Sequence, residues 1–181
     1  MSERRVTLGF HKLHQAAFPP AYATEESACF DIRVCFPAGK REVDAWDKNS
    51  SNFKSMAFVD EVRGDKEASV LLRPGCRMLL PTQLVLDIPR GYSVRLHMRS
   101  GLAIKGGLML SNCEGVIDSD YTHQLMVPVT NTTMTDIKIT HGDRICQGEI
   151  VEKIYTDFVQ LADEVKGKTD RSGGFGSTGK A

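Results

Sequence analysis

Long apolar runs, paired cysteines and an excess of one charge are all missing from this chain of 181 residues. Apolar stretches such as Met78–Leu80 and Leu84–Leu86 are far too short to cross a bilayer as a helix, so no membrane partner is expected. The first residues carry charge at Glu3, Arg4 and Arg5 but no apolar stretch, so no signal peptide is expected. Lysine plus arginine equals aspartate plus glutamate, 23 against 23. No bulk field therefore draws the chain to nucleic acid or to anionic lipid, and any phosphate site must be a local cluster. The five cysteines, Cys29, Cys35, Cys76, Cys113 and Cys146, are odd in number and contain no C-x-x-C. That excludes a zinc knuckle or a disulfide framework and points to reduced, mostly packed thiols in a cytoplasmic protein, or in the nucleus or cytoplasm of a host cell for a viral one. His11 and His14 lack a third ligand, and their spacing puts them on opposite faces of a strand, so they read as surface histidines.

What is present is strand periodicity. The length suits one domain with a real core. Short apolar or alternating runs, Ile32–Phe36, Val70–Leu72, Leu84–Ile88, Tyr92–Met98, Leu125–Val129, Ile137–Thr140 and Ile145–Val151, are punctuated by turn signals such as Pro74–Gly75, Pro89–Arg90–Gly91 and His141–Gly142–Asp143. This is the pattern of an all-β sandwich or barrel. One short helix is expected from Ser100, read as its cap, with Leu102, Ala103 and Ile104 behind it. The expected organisation is a β domain over residues 1–165 with an insertion at 40–68, followed by a Gly-rich tail at 166–181. The insertion is rich in charge, Asn and Ser yet carries Trp46, Phe53, Met56 and Phe58, so it is expected to pack back on the body. The tail has a single aromatic, Phe175, and cannot fold alone; it suits a lid.

Four stretches carry groups suited to a nucleoside triphosphate. Arg99–Ser100–Gly101–Leu102–Ala103 sets a guanidinium and a hydroxyl at a helix start, where free N–H groups favour anions. Gly115–Val116–Ile117–Asp118–Ser119–Asp120–Tyr121 offers carboxylates at i and i+2 beside an aromatic ring; spacing alone equally describes an Asp-rich turn. Gly142–Asp143–Arg144–Ile145–Cys146–Gln147 brings a second arginine and an amide from a turn into a strand. Gly173–Gly174–Phe175–Gly176–Ser177–Thr178–Gly179 supplies backbone N–H groups able to wrap anionic oxygens.

Taken in order, and preceded by Ser27–Ala28–Cys29–Phe30–Asp31–Ile32–Arg33, these stretches resemble the five motifs of the trimeric dUTP pyrophosphatases. The resemblance spans Tyr22 to Lys180 apart from the insertion. It implies a distorted jelly-roll β-barrel with one short helix, assembled as a homotrimer whose C-terminal tails are exchanged between subunits. The implied reaction is hydrolysis of dUTP to dUMP and pyrophosphate, which limits uracil in DNA and supplies dUMP for dTMP. Asp118 is then the general base and Asp31 lies near it and the metal. Arg99, Ser100, Gly101 and Gln147 hold phosphate oxygens. Asn112, Gly115, Val116, Ile117 and Met126 frame uracil, and Tyr121 sits against deoxyribose. Arg171, Gly174, Phe175, Gly176, Ser177 and Thr178 belong to the closing tail, with Phe175 over the base. Mg²⁺ is the implied cofactor, held mainly by the triphosphate and water rather than by a protein cage.

Physical chemistry agrees with those roles, because triphosphate hydrolysis needs charge neutralisation and in-line positioning more than covalent help. Against the family pattern, Cys29 replaces a glycine, His123 stands where a glycine is common, Gly148 follows Gln147 in place of an apolar residue, and Arg171 is one residue closer to Gly173. A dCTP deaminase shares the implied fold but needs a glutamate about ten residues after the I-D step; here that position is Pro128, and no glutamate lies between Asp118 and Asp136. A third reading is a nucleotide-sensing module that meets a protein partner through the insertion 40–68.

Overall fold

The computed structural model describes residues 5–37, 42–57 and 67–169. In chain order the elements are β1 (Gly9–Lys12), β2 (Ala21–Tyr22), β3 (Phe30–Arg33), β4 (Glu42–Trp46), β5 (Asn52–Met56), β6 (Ser69–Leu72), β7 (Arg77–Pro81), β8 (Leu84–Asp87), β9 (Tyr92–Met98), α1 (Ser100–Gly106), β10 (Leu108–Leu110), β11 (Gly115–Asp118), β12 (Met126–Asn131), β13 (Ile137–Thr140) and β14 (Arg144–Glu152). Two five-stranded sheets, β11-β9-β14-β3-β2 and β10-β12-β7-β4-β5, form the body, and the two-stranded ribbons β1-β8 and β13-β6 complete it. Strand neighbours are antiparallel in both sheets. The fold is an all-β jelly roll, distorted so that the sheets do not close into one continuous barrel.

Alternation explains the core. Val127 and Val129 of β12, Met78 and Leu80 of β7, and Val94 and Leu96 of β9 are buried, with Phe30 and Ile32 of β3 beside them. Each such side chain contributes roughly 1.5–3 kcal/mol of hydrophobic stabilisation. One polar group is fully buried among them. Asn131 donates from Nδ2 to the carbonyls of Leu72 (2.8 Å) and Thr135 (2.7 Å), and its Oδ1 accepts from the Thr133 N–H and Oγ1, both at 2.8 Å. All its hydrogen-bonding groups are used, so the amide ties β12 to β6 without an orphan.

Two expectations change. The segment read as an insertion contributes β4 to the second sheet, where Ala45 pairs with Met78 and Trp46 with Arg77. Its small residues Val43 and Ala45 are buried, whereas the bulky Phe53 and Met56 remain exposed. Phe58 lies outside the described residues. The helix is present, but Ser100 does not cap it: Arg99 is the N-cap, extended at φ −70 and ψ 128, and it makes no side-chain capping bond. The reason is continuity, since Arg99 prolongs the extended backbone of β9, leaving Ser100 as the first helical residue. At the far end Gly107 donates its N–H to the Leu102 carbonyl.

Candidate active site

The site residues fall at two places along β9. At its Met98 end three motifs meet. Asp31 of β3 pairs with Gln147 of β14, which pairs with His97 of β9, so the three side chains share one face of the sheet. Asp31 is nearly buried and lies between two guanidinium groups. Its Oδ2 accepts from Arg144 Nη1 at 3.1 Å, and its Oδ1 is 3.2 Å from Arg99 Nε. The second approach is close but not aligned for a hydrogen bond, and it acts as an ion pair. Arg99 Nη1 in turn reaches the Arg144 carbonyl at 3.4 Å.

Local structure fixes the turn that delivers Arg144. The Gly142 N–H donates to Val34 O (2.9 Å), Val34 N–H to Asp143 O (3.0 Å), and Thr140 N–H to the Asp143 carboxylate (2.8 Å). Arg33 Nη1 donates to the Gly142 carbonyl at 2.7 Å while its guanidinium covers the Phe18 ring at 5.6 Å. Beneath this row, the Cys146 thiol is pushed up to about 12 by burial and secondarily by the Asp31 charge. Gly148 has a direct structural reason. A Cβ there would come within 2.4 Å of the Phe30 ring, so the apolar residue usual at this place in the family is excluded by an aromatic packed on bare backbone.

The other place is the β11 hairpin. Its start requires Gly115, whose added Cβ would lie 2.9 Å from Leu96 Cβ across the pair. Asp118 ends β11 opposite Ser93, and a turn follows in which Tyr121 N–H donates to Asp118 O at 3.1 Å. The Tyr121 hydroxyl donates to the Gln124 carbonyl at 3.0 Å. Gln124 Oε1 accepts from Gln83 N–H at 2.9 Å, which anchors the loop to the body. Together Asn112, Val116, Ile117, Asp118, Tyr121 and Met126 border a cleft of about 580 Å³, with Leu79, Thr122, His123 and Pro128 as further walls. On its other side Asp118 borders a larger cleft of about 670 Å³, where Arg90, Arg95 and Lys153 face Asp118, Asp120 and Glu152. Its charges balance, so this second cleft has no net attraction for an anion.

Within one chain the two places stay apart. On β14, Gln147 stands opposite His97 and Val151 opposite Ser93. Four residues correspond to roughly 13 Å along the strand. Asp31 and Asp118 are also three strands apart in the sheet, roughly 14 Å across. The expected proximity of Asp31 to Asp118 is therefore absent within a subunit: Asp31 serves the arginines. Ser100 and Gly101 open α1 beside Arg99. Arg171, Gly174, Phe175, Gly176, Ser177 and Thr178 lie outside the described residues. Sequence reasoning missed Arg144 as a site residue although its motif was in view; the signal was an arginine just after a Gly-Asp turn facing a motif aspartate. The cleft walls His123 and Thr122 carried no such signal beyond adjacency to Tyr121.

A jelly roll with arginines gathered at one end of a strand and an aromatic-lined cleft beside a carboxylate at the other defines a nucleoside-phosphate class of site. The dUTPase family profile matches residues 66–179. A deoxyuridine 5′-triphosphate nucleotidohydrolase from Roseobacter denitrificans is 45% identical over 161 residues, 88% of this chain and 86% of the relative. The same-named protein of Brucella melitensis biotype 2 is 38% identical over 180 residues, 97% and 94% of the two chains. The chain belongs to the dUTPase family. Among solved structures, the Staphylococcus bacteriophage 80alpha dUTPase determined with dUpNHpp superposes with a TM-score of 0.70 at 21% identity, covering 96% of this chain and 99% of that one. A dUTPase from phage phi11 of S. aureus, described with a structural Mg(II) ion, gives 0.66 at 19% identity over 89% and 100%. These two likenesses bear on the fold.

Proposed function

We propose that this chain hydrolyses dUTP to dUMP and pyrophosphate at sites built between subunits of a homotrimer. Asp118 is the general base, placed at the rim of the Asn112–Met126 cleft, where its carboxylate makes no side-chain hydrogen bond or ion pair among the described residues and is free to orient a water. Asn112, the β11 backbone and Met126 border the uracil, and Tyr121 stands against the deoxyribose. Arg99, Ser100 and Gln147, from the other end of β9 on a neighbouring subunit, take phosphate oxygens, with Asp31 and Arg144 setting the position of Arg99. Water attacks the α-phosphorus in line, its proton passes to Asp118, and pyrophosphate leaves.

The single observation that carries this reading is the separation of Asp118 from Arg99 and Gln147 on one chain, which leaves each half incomplete alone. Residues 153–169 add support for exchange between subunits. They leave β14 without regular structure, and Ile154, Tyr155, Phe158, Val159, Leu161 and Val165 are exposed, Phe158 to 95%. Apolar side chains in that number call for burial against another chain. Residues 166–181, including Phe175, Ser177 and Thr178, would then continue as the closing tail.

The donors beside Asp118 fit a shared Mg²⁺. Among the described residues no three acids, histidines or cysteines gather as a ligand set, while Asp118 and Asp120 stand exposed at the cleft mouth. Such a pair suits an ion that keeps phosphate oxygens and water as its main ligands. When bound, the ion supplies charge neutralisation on the triphosphate.

A cytoplasmic setting is supported by five free thiols. No helix of the described residues is long and apolar enough to cross a membrane. A protein partner at 40–68 is supported by β5, an edge strand of its sheet with Phe53 and Met56 exposed.

The test is incubation of the protein with Mg²⁺ and dUTP, dCTP, dTTP or UTP, with products resolved by anion exchange. Release of dUMP and pyrophosphate from dUTP alone is expected. Turnover of dCTP as well would overturn the specificity, and binding of dUTP without turnover would leave the sensing module as the better reading. Light scattering should give the mass of three chains.

A further inference from the structure

We infer that His123 is a specificity-determining residue, a brace that holds the Tyr121 ring in the orientation that separates deoxyribose from ribose. The inference rests on the reading of the Asn112–Met126 cleft as the nucleoside site. Tyr121 is 38% exposed, so the core does not fix its ring. Two hydrogen bonds pin its ends, the N–H to Asp118 O and the hydroxyl to Gln124 O. Both lie near one axis through the side chain and leave the ring free to tilt about it. The remaining restraint is His123, whose ring meets Tyr121 edge to face, with centroids 5.7 Å apart and planes at 74°. It is the only aromatic contact of Tyr121 among the described residues. His123 also walls the same cleft as Asn112, Tyr121 and Met126.

The chemistry of the discrimination makes a brace matter. A single extra hydroxyl is rejected by shape only as firmly as the wall that meets it, because a surface that yields by a few tenths of an ångström accepts the larger sugar. In this chain an imidazole occupies the place where the family commonly has glycine, so a ring edge stands where otherwise no side chain would. Its position at an exposed turn, away from the core, means that trimming it leaves the sheet packing untouched.

The experiment compares kcat and KM for dUTP and for UTP in the wild type, His123→Gly, His123→Ala and His123→Phe, with melting temperature recorded for each. Loss of the aromatic edge should lower the dUTP-to-UTP ratio of kcat/KM by roughly 3- to 10-fold, the span expected for one aromatic pair. The change should fall mainly in KM, with kcat for dUTP within about twofold. His123→Phe, which keeps an edge but no ring nitrogen, should restore the ratio. An unchanged ratio in both His123→Gly and His123→Ala overturns the inference, as does a failure of His123→Phe to restore it. A wild type that hydrolyses no dUTP would overturn the functional reading beneath it, and this inference with it.

Discussion

At the Met98 end of β9, charged side chains hold one another: Asp31 sits between Arg99 and Arg144, and a hydrogen-bonded turn delivers the second arginine. At the Tyr92 end, the β11 hairpin is shaped by backbone turns and one tyrosine hydroxyl, and Asp118 and Asp120 find no side-chain partner among the described residues. The difference follows from what each end must do. Guanidinium groups that bind phosphate work best when their forks are already oriented, so an internal carboxylate is useful there. A general base paired to an arginine would be a poor acceptor of a proton, so leaving Asp118 unpaired suits its role.

The sharpest way to break this comparison is Asp118→Asn. Turnover of dUTP should fall by about 10²–10⁴-fold, while binding of a non-hydrolysable dUTP analogue by calorimetry stays within a few-fold. Retained turnover would move the base elsewhere. A second prediction concerns the buried thiol beneath the arginine end. The Cys146 pKa is raised from 9.0 to about 12, first by burial and then by Asp31. Below pH 9 the thiol is protonated whether folded or unfolded, and its contribution to stability is fully present. Between pH 9 and 12 only the unfolded chain releases the proton, so stability should fall as pH rises, by up to about 4 kcal/mol from this group. Urea midpoints measured from pH 8 to 11 should drop less steeply in Cys146→Ala.

Smaller effects test the two ends separately. Asp31→Asn should cost about 2 kcal/mol of stability by leaving two arginines without their shared charge, and it should weaken triphosphate binding more than dUMP binding. If dUMP binding weakens equally, Asp31 is not specific to the phosphate end. Gly148→Val should cost about 1–3 kcal/mol, because its side chain would meet the Phe30 ring; thermal melting reads this directly.

How legible all this was depends on where the information sits. Tyr92–Met98 and Ile137–Thr140 are strands with those bounds, because alternation and flanking turn residues agree in each. β4 and β5 were hidden inside a charged segment, since Val43 and Ala45 bury little area and the conspicuous aromatics point outward. The role of Asp31 was misplaced because sequence order says nothing about which strand lies between two motifs; β14 and β9 separate it from β11. Arg99 displaced Ser100 as the cap because extension from β9 outweighs a side-chain preference. The motif residues themselves were legible, but their division into two places was not, since that is a property of sheet order.

That division has a consequence for inheritance. If each site draws Asp118 from one copy and Arg99 from another, two defective forms of the gene, one altered at each residue, would rescue each other in the same cell. Mixed trimers would contain junctions where both intact halves meet. Two forms altered at the same residue would never do so.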